Sequence, residues 1–208
     1  PPEATLTSFH PNTDGRLTGE RPEIESAKAD YRFDPADPVP TIGGGNMRIP
    51  GGPMDQRPIE KRDDVLVFTS EVFEEPLEVT GRLEAELWIS SNRRDTDFAM
   101  RLCDVYPDGR SILIADGIQR CALRESLSEA IPLEPGVPTP VRVDLWSTSI
   151  VFAPGHRIRV LVSSSNYPRF DVNPNTAFLE DAPETLTAEN SVFFDRHRPS
   201  RLILPVVE

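Results

Sequence analysis

Ser163-Ser164-Ser165, preceded by His156 and followed by Asp171, are the residue types from which nucleophilic catalysis could be assembled. A serine nucleophile needs a histidine base that is itself oriented by a carboxylate, and that relation is one of geometry, which an inventory does not supply. The chain contains no Gly-x-Ser-x-Gly run, the strand-turn-helix device that lifts a hydrolase serine into reach. The serine run, with Asn166 behind it, therefore reads as polar satisfaction at the end of a strand. No catalytic residue is assigned. His156 lies in Pro154-Gly155-His156-Arg157 and reads as a turn histidine donating to a backbone carbonyl.

Metal chemistry finds little more support. His10, His156 and His197 are scattered, and no histidine or cysteine pair has ligand spacing, so no zinc site is expected. Asp95-Thr96-Asp97 and Asp171-Val172-Asn173-Pro174-Asn175 carry oxygen ligands that a hard cation could use. The second begins like a calcium loop but has Thr176 where glycine is required and Ala182 where the bidentate glutamate belongs. Capping of loop backbone is the better reading of both. The glycines at 43–45 lack a following Lys-Ser/Thr and a helix, so no phosphate cradle is expected. No cofactor is expected. Cys103 and Cys121 are too few for a disulfide framework. A hairpin turning at Pro107-Asp108-Gly109 would place a residue near Leu113, well short of Cys121, opposite Cys103, so two reduced, partly buried thiols are expected.

The formal net charge of −12 argues against nucleic acid or an anionic membrane as partner, since a polyanion needs a basic face. No apolar run approaches the roughly 20 residues of a membrane-spanning helix. The chain starts Pro1-Pro2-Glu3, without a signal peptide or initiator methionine, and is read as an excised piece. Absence of an Asn-x-Ser/Thr sequon favours an intracellular, cytoplasmic setting.

The positioning elements are strands. Twenty-two prolines and 12 glycines in 208 residues interrupt any long helix. Residues 1–63 read as an extended Pro/Gly-rich wrapping arm rather than a core element, and 64–208 as a sandwich core. Within the core, Val79, Gly81, Leu83, Ala85, Leu87 and Ile89 share one face, with Glu78, Thr80, Arg82, Glu84 and Glu86 on the other, the pattern of a half-buried strand. Phe98, Met100 and Leu102 alternate toward the Asp108-Gly109 turn, and 112–115 return from it. Further strands are expected at 141–145, 158–162 and 201–205, and a short helical turn at 183–189. A single all-β domain follows, a β-sandwich of jelly-roll type fitting best.

Taken together, the loop motifs form a recognisable set: Asp34-Pro35-Ala36-Asp37-Pro38-Val39-Pro40-Thr41, Gly43-Gly44, Gly52-Pro53-Met54-Asp55-Gln56-Arg57, Asp63-Asp64-Val65-Leu66 and Val79-Thr80-Gly81. They continue with Asp95-Thr96-Asp97-Phe98, Asp104-Val105-Tyr106-Pro107-Asp108-Gly109-Arg110, Asp116-Gly117-Ile118, Pro154-Gly155-His156-Arg157-Ile158, Ser163-Ser164-Ser165-Asn166-Tyr167-Pro168 and Pro199-Ser200-Arg201. In this order they resemble the carboxy-terminal domain of cocaine-esterase-type (CocE/NonD) hydrolases and Xaa-Pro dipeptidyl peptidases. The resemblance implies a galactose-binding-like jelly roll packed on an α/β-hydrolase domain of the same polypeptide, which holds the Ser-Asp-His triad and takes a small ester, amide or peptide substrate. It also implies that the loop 43–52 approaches the cleft and walls the acyl pocket, with Met47 and Arg48 at its tip. Arg48 departs from the bulkier apolar residues that relatives can carry, and either faces solvent or favours a substrate with an acidic group. The remaining motif residues, among them Asp34, Pro35, Asp55, Gln56, Gly155, Ser164 and Asn166, are expected to be structural or interfacial.

Two other readings compete. A free-standing carbohydrate- or ligand-binding module would use Trp88 or Trp146 as a stacking platform beside convergent polar groups. A structural domain that forms a homo-oligomer would show a large apolar patch with no nearby cleft.

Overall fold

The alternation read at 79–89 builds the longest strand of the protein. The computed structural model describes residues 3–47, 49–177 and 184–207. Its strands, in chain order, are β1 (Ala4–Pro11), β2 (Leu17–Thr18), β3 (Lys28–Phe33), β4 (Leu66–Thr69), β5 (Leu77–Ser91), β6 (Asp97–Val105), β7 (Ser111–Arg120), β8 (Thr139–Phe152), β9 (Arg157–Ser163), β10 (Ala188–Phe193) and β11 (Arg201–Val207). A 3₁₀ turn at Cys121–Leu123 is the only helical element among the described residues.

The strands form two antiparallel sheets. The larger has seven strands in the order β2-β1-β11-β5-β10-β3, with β8 also paired to β5, and the smaller has the order β4-β9-β6-β7. This is an all-β, two-sheet sandwich of jelly-roll, galactose-binding-like architecture. Val79, Leu83, Ala85, Leu87 and Ile89 point from β5 into the main core, where Phe98, Met100 and Leu102 of β6 and Val160 and Val162 of β9 meet them. The β6–β7 hairpin turns at Asp108-Gly109 and sets Cys103 opposite Leu113. Both cysteines are free and buried.

Two expectations need correction. The first half of the arm is not a wrapper: β1 pairs with β11 from Ala4↔Val207 to Phe9↔Leu202, and β3 pairs with β10. Leu17, Tyr31 and Phe33 of this segment sit in the main core. Strands at sheet margins need few apolar residues, because one side is solvated, so composition alone hid them. The expected helical turn at 183–189 is corrected where it is described, since Ala188 opens β10; Pro183 lies outside the described residues.

Three apolar residues of the later part of the arm pack on the smaller sheet. β6 is buried at every position, because its outer face is covered by Val39, Ile59 and Val65, which join Cys103, Leu113 and Leu161 in a second apolar cluster. Burial pushes the Cys103 thiol up to about 12, so it behaves as a packing group rather than a nucleophile.

The two sheets close on each other at Gly117 of β7. A Cβ there would lie 2.0 Å from the Asp144 carbonyl oxygen of β8, so backbone meets backbone where no side chain fits. Gly117→Ala is expected to force β7 and β8 apart and cost about 1–3 kcal/mol or more, read as a lower urea midpoint with an unchanged denaturant slope.

Candidate functional site: a necked loop over two cavities

Residues 43–52 form a loop closed at its neck. The Gly44 amide donates to the Gly52 carbonyl at 2.8 Å and the Gly52 amide returns a bond to Gly44 at 2.9 Å. Gly43, at φ 71°, has no room for a side chain, since its Cβ would stand 2.4 Å from the Gly52 oxygen. Asn46 spans the loop interior, donating from Nδ2 to the Gly43 carbonyl at 2.7 Å and accepting from the Ile49 amide at 3.1 Å. Met47 is fully exposed. Arg48 lies outside the described residues.

The flanks of the loop are tied to the smaller sheet. Gln56, wholly buried, donates from Nε2 to the carbonyls of Ile42 (2.8 Å) and Met54 (2.9 Å), and so braces the incoming and outgoing limbs against each other. Its amide bonds the Ser111 carbonyl at 2.7 Å, and the Leu113 amide donates to Met54 at 3.0 Å. Asp55 accepts from the amides of Ser111 (3.1 Å) and Arg57 (3.2 Å). Upstream, Asp34 caps a turn by accepting the Ala36 amide at 3.0 Å, with Pro35 buried behind it.

Beneath the loop is a polar network that links three segments. Thr41 Oγ1 donates to Asn166 Oδ1 at 2.7 Å, and Asn166 Nδ2 donates to Asp116 Oδ2 at 2.7 Å. The other Asp116 oxygen is 3.0 Å from Arg169 Nη1. Arg101, buried on β6, donates to Ser163 Oγ at 3.2 Å, and its burial pushes its pKa down to about 10 against the pull of Asp116. Two cavities flank the loop. One, of about 770 Å³, opens between β7 and β8 and is lined by Gly44, Gly52, Ile114, Trp146, Ser149 and Arg169, among others. The other, of about 640 Å³, is lined by Asn46, Met47, Arg169 and Phe170, among others. Trp146 is 70% exposed and sits at φ 68°, at the bulge where the register of β8 against β5 shifts.

The other sequence-flagged residues are structural. Asp95 and Asp97 are joined by Asn173, which donates to both at 2.9 and 2.7 Å, while the Ala122 amide caps Asp95 at 2.8 Å and Arg120 pairs with Asp97 at 3.1 Å. The two segments with cation-ligand character thus meet and satisfy one another. Burial raises the Asp97 pKa despite Arg120. No cluster of three or more His, Cys, Asp or Glu groups with metal-binding geometry occurs among the described residues.

Ser164 bonds Tyr31 and Asn190, each at 2.8 Å, and His156 is far from forming a serine relay, because its Nδ1 is 2.8 Å from Asp104 Oδ1. The expected carbonyl partner of His156 is therefore corrected to a carboxylate. Burial of Asp104 made that partner necessary: desolvation raises its pKa and His156 opposes the rise. The Tyr106 ring packs against His156 with centroids 4.4 Å apart and planes tilted by 48°. Asp108 and Gly109 form the hairpin turn, and Gly155 at φ 85° turns into β9. Sequence reasoning missed Arg169. It is a single arginine after Tyr167-Pro168, with no spacing signal to mark it.

The fold defines a class, a jelly-roll β-sandwich domain. The chain belongs to the family described as the X-Pro dipeptidyl-peptidase C-terminal non-catalytic domain, whose model matches residues 1–203. It is 46% identical over 199 residues to the cocaine esterase of Rhodococcus sp., covering 93% of this chain and 34% of that protein. Among solved structures, it resembles an aminopeptidase from a marine-sediment Thaumarchaeota archaeon (TM-score 0.90, 31% identity, 99% of this chain and 37% of that one). It also resembles an α-amino acid ester hydrolase (TM-score 0.87, 30% identity, 97% of this chain and 36% of that one). The chain thus spans about a third of the length of these relatives, and it is related to serine esterases through this C-terminal non-catalytic domain family.

Asp55 offers a check on how the loop is tied down. The Arg57 guanidinium, together with the Arg57 and Ser111 amides, holds its carboxyl below the ordinary value against a smaller effect of burial. A folded-state pKa below the unfolded value of about 3.9 means that the native state binds fewer protons, so the stabilisation is present above about pH 4 and is lost as pH falls through the folded pKa. Asp55→Asn is expected to lower the urea midpoint at neutral pH, and the gap to the unsubstituted protein should narrow as pH is taken below about 4.

Proposed function

We propose that this domain completes the substrate cleft of a serine hydrolase of the α/β-hydrolase type, in which a catalytic domain of the same polypeptide supplies the triad and the loop 43–52 supplies part of the acyl-side wall. The observation that carries this reading is the necked loop. Its base is braced by Gln56, Asn46 and the Gly44–Gly52 bonds, while Met47 stands wholly exposed. An apolar side chain held out by an ordered loop suits a surface that is covered in a larger assembly. Ester or amide hydrolysis is the matching chemistry. The esterase branch is favoured over Xaa-Pro peptidase activity because the cocaine esterase likeness is 46%. Loops braced by their own backbone lose little entropy on docking, which makes them economical cleft walls.

A second reading has one specific observation in its favour. Trp146 is exposed beside Ser147, Thr148 and Ser149 on the wall of the larger cavity, the aromatic-plus-polar arrangement that a sugar-binding platform requires. Trp88 is half-buried and suits the role less well.

Three measurements separate these readings. The chain alone should not turn over a small chromogenic ester; turnover abolished by a serine-directed inhibitor would overturn the non-catalytic assignment. In the protein carrying its α/β-hydrolase domain, Met47→Ala is expected to change the preference between short and long acyl esters by about tenfold in kcat/KM, and an unchanged ratio counts against the wall. Titration with simple sugars should leave Trp146 fluorescence unmoved; a saturable change would promote the second reading.

A further inference from the structure

The glycines of the loop neck lie against a guanidinium. A Cβ on Gly44 would stand 3.0 Å from Arg169 Nη1, and one on Gly45 would stand 3.2 Å from the same atom and 3.6 Å from Nη2. Arg169 therefore occupies the space into which side chains at 44 and 45 would project. The head is itself held. Asp116 Oδ1 is 3.0 Å from Nη1, an ion pair without hydrogen-bond geometry, and the arginine side chain is only 15% exposed, so the pair is sheltered from the screening that weakens surface pairs.

The backbone of Arg169 contacts the limb leading into the loop. Its amide donates to Thr41 Oγ1 at 3.2 Å, while the Thr41 amide donates to the Tyr167 carbonyl at 2.6 Å. Thr41 is joined back to Asp116 through Asn166, at 2.7 Å for each bond. One residue thus supports the loop from below through its side chain and grips its incoming limb through its backbone. Arg169 also lines both cavities that flank the loop, so it stands where a change in loop height would alter both.

We propose that Arg169 is a positioning residue for the cleft wall: its guanidinium, held by Asp116, is the shelf on which Gly44-Gly45 rests, and the height of that shelf sets where Met47 stands and which substrates fit. This rests on the reading of loop 43–52 as a cleft wall. Geometry makes arginine specific for the task. A flat, forked head can lie under a peptide while pairing with a carboxylate, whereas a lysine ammonium keeps the charge but offers a point instead of a plane.

The test uses the protein carrying its α/β-hydrolase domain, with Arg169→Met as the main variant and Arg169→Lys as the conservative one. Hydrogen exchange at the Gly44 and Gly52 amides, exchange in β5 and β6, and steady-state kinetics with a small ester are measured together. For Arg169→Met, exchange at Gly44 and Gly52 is expected to rise about tenfold or more with the strands unchanged, and KM is expected to rise about fivefold or more with kcat within twofold. Arg169→Lys should fall between, because charge alone does not restore the shelf. Unchanged loop exchange in Arg169→Met overturns the proposal. So does a rise in exchange shared by the strands, which marks a merely structural role. Loop exchange that rises while KM stays constant also overturns the assigned role, and in that case the cleft-wall reading has failed while the shelf contact itself stands. If Arg169→Met does not fold, the lysine variant decides on the same criteria.

Discussion

The inner strand β6 of the smaller sheet is buried on both faces, and the remainder of the structure depends on that constraint. A four-stranded antiparallel sheet in a sandwich normally leaves its outer face to water. Here β6 places Asp97, Ala99, Arg101, Cys103 and Val105 on that face, and all are buried. Something must cover them, and the charged members among them must be paired. The later arm provides the cover through Val39, Ile59 and Val65, Arg120 and Asn173 partner Asp97, and Arg101 donates to Ser163 while its Nη2 has no partner among the described residues. The loop 43–52 projects from this cover.

The polar groups beneath the arm are joined in chains, and that matters for function. Buried charge is costly unless it is paired and hydrogen-bonded, so Asp116 is shared between Asn166 and Arg169, and Asp97 between Asn173 and Arg120. Satisfying these groups also specifies where each loop must lie, because a hydrogen bond demands direction as well as distance. The same economy that makes the outer face tolerable therefore positions the loop above it. On the proposed reading, a non-catalytic domain acts on chemistry by this means, by holding a backbone segment at a set height.

The motif glycines divide along the same line. Gly117 permits β7 to touch the β8 backbone, Gly109 and Gly155 turn the chain, and Gly43, Gly44 and Gly52 make the loop neck. Only the last group has a functional reading. Their types alone do not distinguish them: Gly43, Gly44 and Gly117 leave room for an opposing backbone or guanidinium, whereas Gly52, Gly109 and Gly155 answer a positive φ.

The chain by itself determined the all-β class, the strands of the sandwich core from β5 onward except β10, the hairpin at Asp108-Gly109, the separation of the two cysteines and the absence of a serine elbow. These follow from period-two alternation and turn chemistry, which are local and therefore legible. The family motifs also marked the loop 43–52. Tertiary structure alone decided that residues 4–33 join the larger sheet, that Asp104 rather than a carbonyl partners His156, that the two acidic segments close on each other, and that Arg169 carries the loop. Each of those pairs residues distant in the chain, where no sequence periodicity records which buried charge will need which partner.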